Sequence, residues 1–388
     1  MGHVNELTSI LQLFFLWNKA RSACLAQMII AMFSSRTVNL SILADQFVGC
    51  SKKESNYKRI IRFLSWMPIT ISVKCRLGSI VLYLLKLKGV GVYVSMDRTC
   101  WEYGKRRINF LVVGIDYHGI SVPIFFKLLP KCTKNGNSNT THRIKILKYV
   151  VSLIGAENII CFSADREFVG KDWFIFLKKN GIKFVIRVKE NTQLERPGTS
   201  HKTSAKELCK RIKCNKKKRF KGLFNIWGIE LYVAAARNDT GELMVLVSNV
   251  DDIRVFKKYL KRWSIETLFK YLKTHGFNLE DTRIIKSIRL EGLFFILTLA
   301  VAWTLVVSQS LRKTAPLRVA SHGRMRISFF RRGLTAIRRG LVNIVLSPRE
   351  WMDLCVLLIP KTVLELLQRG GKKHKKLKIL STICCVAI

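Results

Sequence analysis

The first 85 residues have the hydrophobic spacing of helices. Residues 7–33 are rich in leucine, alanine, methionine and isoleucine, and shorter apolar runs at 41–47 and 52–63 flank a break that contains Gly49. We therefore predict an all-helical region of short helices joined by tight turns. Residues 51–62 place basic side chains beside an apolar stripe. That pattern suits either a DNA-facing helix or an ordinary solvated one.

From Gly91 the pattern changes to short runs rich in valine, isoleucine and phenylalanine, which are typical of β-strands. The predicted order is strands at 92–96, 108–115 and 120–129, a polar loop at 131–141, a helix at 143–153, a strand at 159–163, a helix at 173–179 and a strand at 183–188. This order predicts an α/β fold in which helices flank a mixed sheet. The first and fourth strands are expected to lie side by side at the centre of that sheet.

Further along the chain the pattern alternates again. Residues 191–250 contain strand-like runs at 223–227, 229–236 and 243–247, which predict a β-rich insertion, and helical periodicity returns at 251–275. The remaining tail is basic. We therefore divide the chain into a helical DNA-binding region (1–85), a first part of a catalytic core (86–190), the β-rich insertion (191–250), a second part of the core (251–310) and a basic C-terminal region (311–388).

Residues 293–307 are almost wholly apolar. The run is shorter than the ~20 residues that a membrane-spanning helix needs, and no second run accompanies it. A helix buried on all sides has the same composition. We expect a buried helix, with a membrane span as the alternative.

The charge of the chain is strongly positive, with 68 Lys+Arg against 25 Asp+Glu and a formal net charge of +43. A compact chain with so much like charge repels itself unless a polyanion neutralises it. The basic residues run through the whole length, so we expect nucleic acid as the partner rather than a generic basic surface.

The 11 cysteines are scattered and none forms a C-x-x-C pair, so no zinc site is predicted. Free cysteines in apolar runs fit a reducing compartment. The N-terminus lacks the pattern of a signal peptide. We expect a cytoplasmic, nucleoid-associated protein.

Two aspartates end apolar runs that are predicted to be strands. Asp97 follows residues 90–96 and Asp165 follows residues 159–164, while Glu266 lies in the helical segment 259–273. Because the first and fourth strands are expected to be neighbours, their aspartates are expected to meet where α/β sheets commonly bind ligands. Carboxylates on strands and on a packing helix suit a pair of hard divalent cations, which in-line phosphodiester chemistry uses.

The helix around Glu266 has a polar row beside an apolar face. At ~100° per residue, its polar residues fall within a ~80° arc, and they are Tyr259, Arg262, Glu266, Lys270 and Lys273. A lone glutamate among basic residues on a helix usually forms a surface ion pair with a residue four positions away. The row here is longer than such a pair needs, so Glu266 is expected to bind metal and the cations to hold phosphate oxygens.

The spacing Tyr259-x2-Arg262-x3-Glu266-x6-Lys273 resembles the Y-R-E-K signature of the fourth insertion-sequence family of bacterial transposases. The segments 96–101 and 164–170, which contain Asp97 and Asp165, are similar to the first two acidic boxes of that family. The resemblance spans residues 40–340, including the β-rich insertion. It departs at Cys100, where relatives commonly carry a small polar residue.

The resemblance implies a DDE transposase with an RNase H-like core. In such an enzyme Asp97, Asp165 and Glu266 would bind two Mg²⁺ ions, for which Mn²⁺ can substitute. The expected partners are double-stranded DNA, as the terminal inverted repeats of a mobile element and as target, and a second copy of the chain on that DNA. No nucleotide cofactor is expected, since no G-x-x-x-x-G-K loop is present. No membrane is expected as a partner.

The residues expected to contact DNA share a place in or beside these motifs. They are Arg98, Trp101, Arg166, Tyr259, Arg262, Trp263, Lys270 and Lys273. Trp101 and Trp263 are candidates to stack on a base turned out of the helix. The alternative for each tryptophan is an ordinary place in the core.

Other functions stay open at the level of sequence. A metal-dependent nuclease or resolvase would use the same acids without joining DNA strands. An inactive DNA-binding remnant would bind DNA in a salt-sensitive way without any metal dependence. A basic membrane-associated protein is a more distant alternative that depends only on residues 293–307.

Overall fold

The N-terminal region is helical in a computed structural model, which describes residues 2–67, 69–130, 138–198, 201–312, 314, 316, 321 and 325–359. Its helices are α1 (Gly2–Phe15), α2 (Lys19–Ser35), α3 (Leu40–Asp45), α4 (Lys53–Trp66) and α5 (Ile71–Leu84). The single apolar stretch at 7–33 forms parts of two helices. Leu16 adopts a left-handed conformation that ends α1, and the side chain of Asn18 accepts a hydrogen bond from the Arg21 N–H to begin α2.

The first strands form the predicted mixed sheet. They are β1 (Val92–Tyr103), β2 (Arg106–Tyr117), β3 (Ile120–Leu128), β4 (Ile159–Ala164) and β5 (Phe184–Val188), with α6 (Thr140–Ile154) and α7 (Lys171–Lys179) between the later ones. β1, β2 and β3 are antiparallel neighbours, and β4 pairs parallel to the other side of β1. The predicted α/β, RNase H-like fold is therefore confirmed, including the central pairing of the first and fourth strands. Most of the predicted loop at 131–141 lies outside the described residues.

The β-rich segment extends this sheet. It contains β6 (Gln193–Glu195), β7 (Lys202–Ser204), α8 (Ala205–Leu208), β8 (Lys217–Arg219), β9 (Phe224–Ile226), β10 (Ile229–Arg237) and β11 (Leu243–Ser248). β11 pairs antiparallel with β5, so the order through the described residues is β3-β2-β1-β4-β5-β11-β10-β9-β6-β7, with β8 on β10. The predicted insertion is thus continuous with the core by hydrogen bonding.

The segment predicted as helical over 251–275 is broken in two places. It forms α9 (Val255–Leu260), α10 (Trp263–Lys270) and a π-helical turn at Tyr271–His275. The chain then continues through α11 (Ser287–Ser310), α12 (Phe329–Val342) and α13 (Pro348–Val356). The breaks change which side chains share a face, because each one departs from 3.6 residues per turn.

α11 contains the apolar run at 293–307. It is long and apolar enough to cross a membrane, but 89% of its most apolar window is buried inside the protein. The Phe294 ring lies 4.5 Å from that of Phe110 and 4.8 Å from that of Phe126, centroid to centroid, on the face of the sheet. α11 is therefore buried, as expected, and it forms part of the core that supports β1, β2 and β3.

Candidate active site

Asp97 and Asp165 occupy neighbouring positions on two parallel strands. Met96 on β1 is paired in register with Ala164 on β4, and each is followed directly by one of the aspartates. β4 ends at Ala164, but β1 continues to Tyr103, with Asp97 opposite Val112 on β2. Asp97 therefore lies inside its strand, not at the end as predicted. The two carboxylates still meet, because the parallel pairing of β1 with β4 stops just before them.

The carboxylate of Asp97 is held in a crowded, buried setting. Its Oδ1 accepts a hydrogen bond from the Arg98 N–H at 2.7 Å, and its Oδ2 accepts one from Arg262 Nη1 at 3.2 Å. Burial, assisted by the negative charges of Glu167 and Asp165, raises the pKa of Asp97 to about 7 against the opposing influence of those two donors. Local positive charge is therefore needed to keep Asp97 ionised.

The carboxylate of Asp165 is incompletely satisfied. Its Oδ1 is buried and has no hydrogen-bond partner among the described residues. An acceptor that is removed from water and unpartnered costs about 1–3 kcal/mol, so a ligand that reaches this oxygen would recover that free energy. A hard cation is a suitable partner for this oxygen.

Arg262 connects Glu266 to one of the two aspartates, Asp97. It lies at the break before α10, and its side chain is almost fully buried. Nη2 donates to Glu266 Oε1 at 2.6 Å while Nη1 reaches Asp97 on β1. One guanidinium therefore sits between two of the three predicted acids and supplies the positive charge there.

The three acids do not form a ready ligand set. Within the described part of the chain, no three His, Cys, Asp or Glu side chains are grouped closely enough to hold a metal ion. The Arg262 guanidinium separates Asp97 from Glu266, which is half exposed. Carboxylate oxygens are nevertheless suitable ligands for a divalent cation, and the Oδ1 atom of Asp165 is available as one. The role of the acids as metal ligands stays a prediction, and it requires Arg262 to move.

Five of the residues predicted to contact DNA are either exposed or engaged in contacts within the protein. Arg166, Trp263 and Lys270 are exposed, and the Trp263 residue is 59% exposed. Arg98 and Lys273 are engaged within the protein. Arg98 is ion-paired with Glu167, and Lys273 Nζ donates to the Cys100 carbonyl at 2.7 Å and pairs with Glu280 at 2.9 Å.

Two of the three aromatic residues predicted to contact DNA are buried. Trp101 is 5% exposed, and its ring stacks on Phe110 at 5.9 Å between centroids. Tyr259 is also buried, and burial raises the pKa of its phenol to about 12. The structure places Trp101 in the core, which is the alternative that the sequence leaves open for it, and stacking on a base stays a prediction. Tyr259 still lies beside Arg262, as the predicted row of polar side chains requires, with the Arg262 guanidinium 5.4 Å from the centroid of its ring, but both side chains are buried.

The chain resembles known proteins as follows. The model of the family described as "Transposase DDE domain" matches residues 95–303, more than half of the chain. Among solved structures, the chain is similar to the cryo-EM structure of the piggyBac transposase synaptic complex with hairpin DNA. That similarity has a TM-score of 0.47 and 12% identity, and covers 99% of this chain and 83% of that chain. No curated protein matches the chain.

Proposed function

Because this chain belongs to the transposase DDE domain family, we propose that it binds the ends of its mobile element, cleaves them and joins the 3′ ends to target DNA. We place it in the fourth insertion-sequence family by its Y-R-E-K spacing. The observation that supports the proposal is the register of β1 with β4, which sets Asp97 beside Asp165, with Arg262 linking Asp97 to Glu266.

We infer that Asp97, Asp165 and Glu266 hold two Mg²⁺ ions, which Mn²⁺ can replace. The unpartnered oxygen of Asp165 and the three carboxylates fit hard cations. Bound there, the cations would activate the attacking oxygen and neutralise the charge on the leaving 3′-oxygen. The three acidic residues would fix the positions of the cations. Phosphoryl transfer depends mainly on such positioning and on charge neutralisation.

Arg262 has two roles in this proposal. Without divalent cations its guanidinium offsets the charges of Asp97 and Glu266. When cations take over that task, the guanidinium is free to bind a DNA phosphate through its fork of N–H donors. Arg262 thus changes partners between the acids and the substrate.

Several exposed side chains near this site suit a DNA surface. Arg166 directly follows Asp165, while Trp263 and Lys270 project from the helix that carries Glu266. Cations hold the phosphates and an exposed ring stacks on a base. We propose that two copies of the chain hold the two ends together, in the nucleoid of the cytoplasm, and that the N-terminal helices assist in binding.

The proposal is tested with purified protein and a duplex that carries the DNA flanking its coding region on both sides. With Mg²⁺ and a target plasmid, we expect strand cuts at inverted repeats and covalent joining of the 3′ ends to the plasmid. Cleavage without joined products would favour a nuclease or resolvase. Salt-sensitive binding without any metal-dependent cleavage would contradict catalysis and favour a DNA-binding remnant.

Replacing Trp263 with alanine is expected to weaken binding to this flanking duplex about tenfold. The reason is that loss of one ring that stacks on a base costs about 1–3 kcal/mol. The ring is exposed, so the melting temperature should change little. Fluorescence anisotropy at fixed salt measures the affinity. Trp227→Ala is the matched control, since Trp227 is 40% exposed and lies in the β-rich segment. Equal affinities of the two variants would refute the role of Trp263.

A further inference from the structure

Arg98 and Glu167 form a two-point ion pair beside the predicted acids. Arg98 Nε donates to Glu167 Oε1 at 2.5 Å, and Nη2 donates to Oε2. Both side chains are largely buried, at 19% and 22% exposure. A planar guanidinium bonded to both oxygens of a carboxylate fixes the orientation of the two groups as well as their distance.

This pair joins the two segments that carry the aspartates. Arg98 directly follows Asp97, and its backbone N–H donates to the Asp97 carboxylate. Glu167 lies two residues after Asp165, in a turn that is closed by a hydrogen bond from the Phe168 N–H to the Asp165 carbonyl at 2.9 Å. The ion pair therefore spans the point at which hydrogen bonding between β1 and β4 has ended.

A second, buried arginine lies against the same turn. Arg143 on α6 is 4% exposed, and its Nη1 donates to the Val169 carbonyl at 3.3 Å while its guanidinium lies 5.0 Å from the centroid of the Phe168 ring. Burial lowers the pKa of Arg143 to about 10, and the charge of Glu167 counteracts part of that change. The Glu167 carboxylate thus lies near positive charges from two elements, Arg98 on β1 and Arg143 on α6.

The placement of Glu167 is costly without such a role. Its negative charge adds to the repulsion on Asp97, as does that of Asp165. Three carboxylates in one buried region repel one another unless cations hold them in place. Arg98 and Arg143 offset this repulsion and also fix the turn that carries Asp165.

We propose that Glu167 is a positioning residue, held by Arg98 and Arg143, which keeps the Asp165 carboxylate opposite Asp97 for divalent-cation binding. This inference rests on the metal-dependent reaction proposed above. Glu167 acts through the turn and through Arg98. The Arg98 guanidinium consequently binds Glu167 within the protein rather than DNA, in contrast to its predicted DNA contact.

The test compares Mn²⁺ binding by the wild type and by two variants, each in complex with the flanking duplex. The electron paramagnetic resonance signal of free Mn²⁺ measures the binding. Mn²⁺ bound by the DNA alone is measured separately and subtracted. Glu167→Gln keeps the shape but removes the charge, and Arg98→Lys keeps the charge but removes the fork. Each is expected to weaken Mn²⁺ binding about tenfold, as loss of groups that orient metal ligands does. Affinity for DNA in EDTA should be unchanged.

Glu291→Gln is the matched control. Glu291 has the same 22% side-chain exposure and pairs with Lys74 at 2.6 Å, but it contacts the edge strand β3 through the Leu128 N–H. The Glu291→Gln protein should bind Mn²⁺ with the same affinity as the wild type. Wild-type Mn²⁺ affinity in both Glu167→Gln and Arg98→Lys, or an equal loss in Glu291→Gln, would overturn the positioning role alone. A wild-type complex that binds no Mn²⁺ would instead contradict the proposed function.

Discussion

Replacing Asp165 with asparagine is expected to lower DNA cleavage by at least about 1,000-fold and to leave DNA affinity nearly unchanged. The substitution keeps the size of the side chain and removes the charge of the carboxylate whose Oδ1 has no hydrogen-bond partner in the described part of the chain. Metal-bound charge stabilises phosphoryl-transfer transition states by several kcal/mol, and about 4 kcal/mol corresponds to that loss of rate. Single-turnover cleavage of end DNA in Mg²⁺ measures the effect.

Asp251→Asn is the control for this experiment. Asp251 is also an aspartate beyond the end of a strand of the same sheet, but it is exposed and ion-paired with Arg219. Its variant should cleave at the wild-type rate. An Asp165→Asn protein that cuts as fast as the wild type would refute the assignment of this residue to the reaction.

Replacing Arg262 with glutamine is expected to destabilise the metal-free protein by about 2 kcal/mol. Removing one member of a buried ion pair leaves the other charge uncompensated, which typically costs 3–5 kcal/mol. The smaller value applies here because Glu266 is half exposed and its contact contributes little. The loss therefore arises mainly at Asp97, whose carboxylate is buried.

Divalent cations should reverse this loss. If they bind where the guanidinium lies, millimolar Mg²⁺ will stabilise the Arg262→Gln protein more than it stabilises the wild type. Urea denaturation in EDTA and in Mg²⁺ measures both quantities. Arg254→Gln is the control, since Arg254 is 70% exposed and lies 3.5 Å from Asp252. Equal Mg²⁺ effects on all three proteins would show that the ions bind elsewhere.

The central sheet was predictable because its strands are short apolar runs separated by clear breaks. The order of those runs led to the pairing of β1 with β4, and that pairing led to the meeting of Asp97 with Asp165. The two aspartates were evident because each follows such a run, and Glu266 was evident from the spacing of the polar residues around it. The buried α11 was likewise predictable from an apolar run too short for a comfortable membrane span.

The features that the sequence did not reveal depend on long-range or irregular structure. Pairing of β11 with β5 joins segments about 60 residues apart, and no local pattern encodes it. Tyr259 and Arg262 are neighbours, as helical periodicity predicts, but tertiary packing buries both and places the Arg262 guanidinium between Asp97 and Glu266. Trp101 was ambiguous because a tryptophan on a strand suits either a core or a stacking surface. The division into five regions stays a prediction.

The central claim is that Asp97, Asp165 and Glu266 share divalent cations once Arg262 moves away. The most direct measurement is anomalous X-ray scattering from crystals of the protein with end DNA and Mn²⁺. We predict metal peaks about 2.1 Å from carboxylate oxygens of Asp97 and Asp165, with the Arg262 guanidinium turned towards a phosphate. Mn²⁺ bound only elsewhere, with Arg262 still bridging Asp97 and Glu266, would contradict the claim.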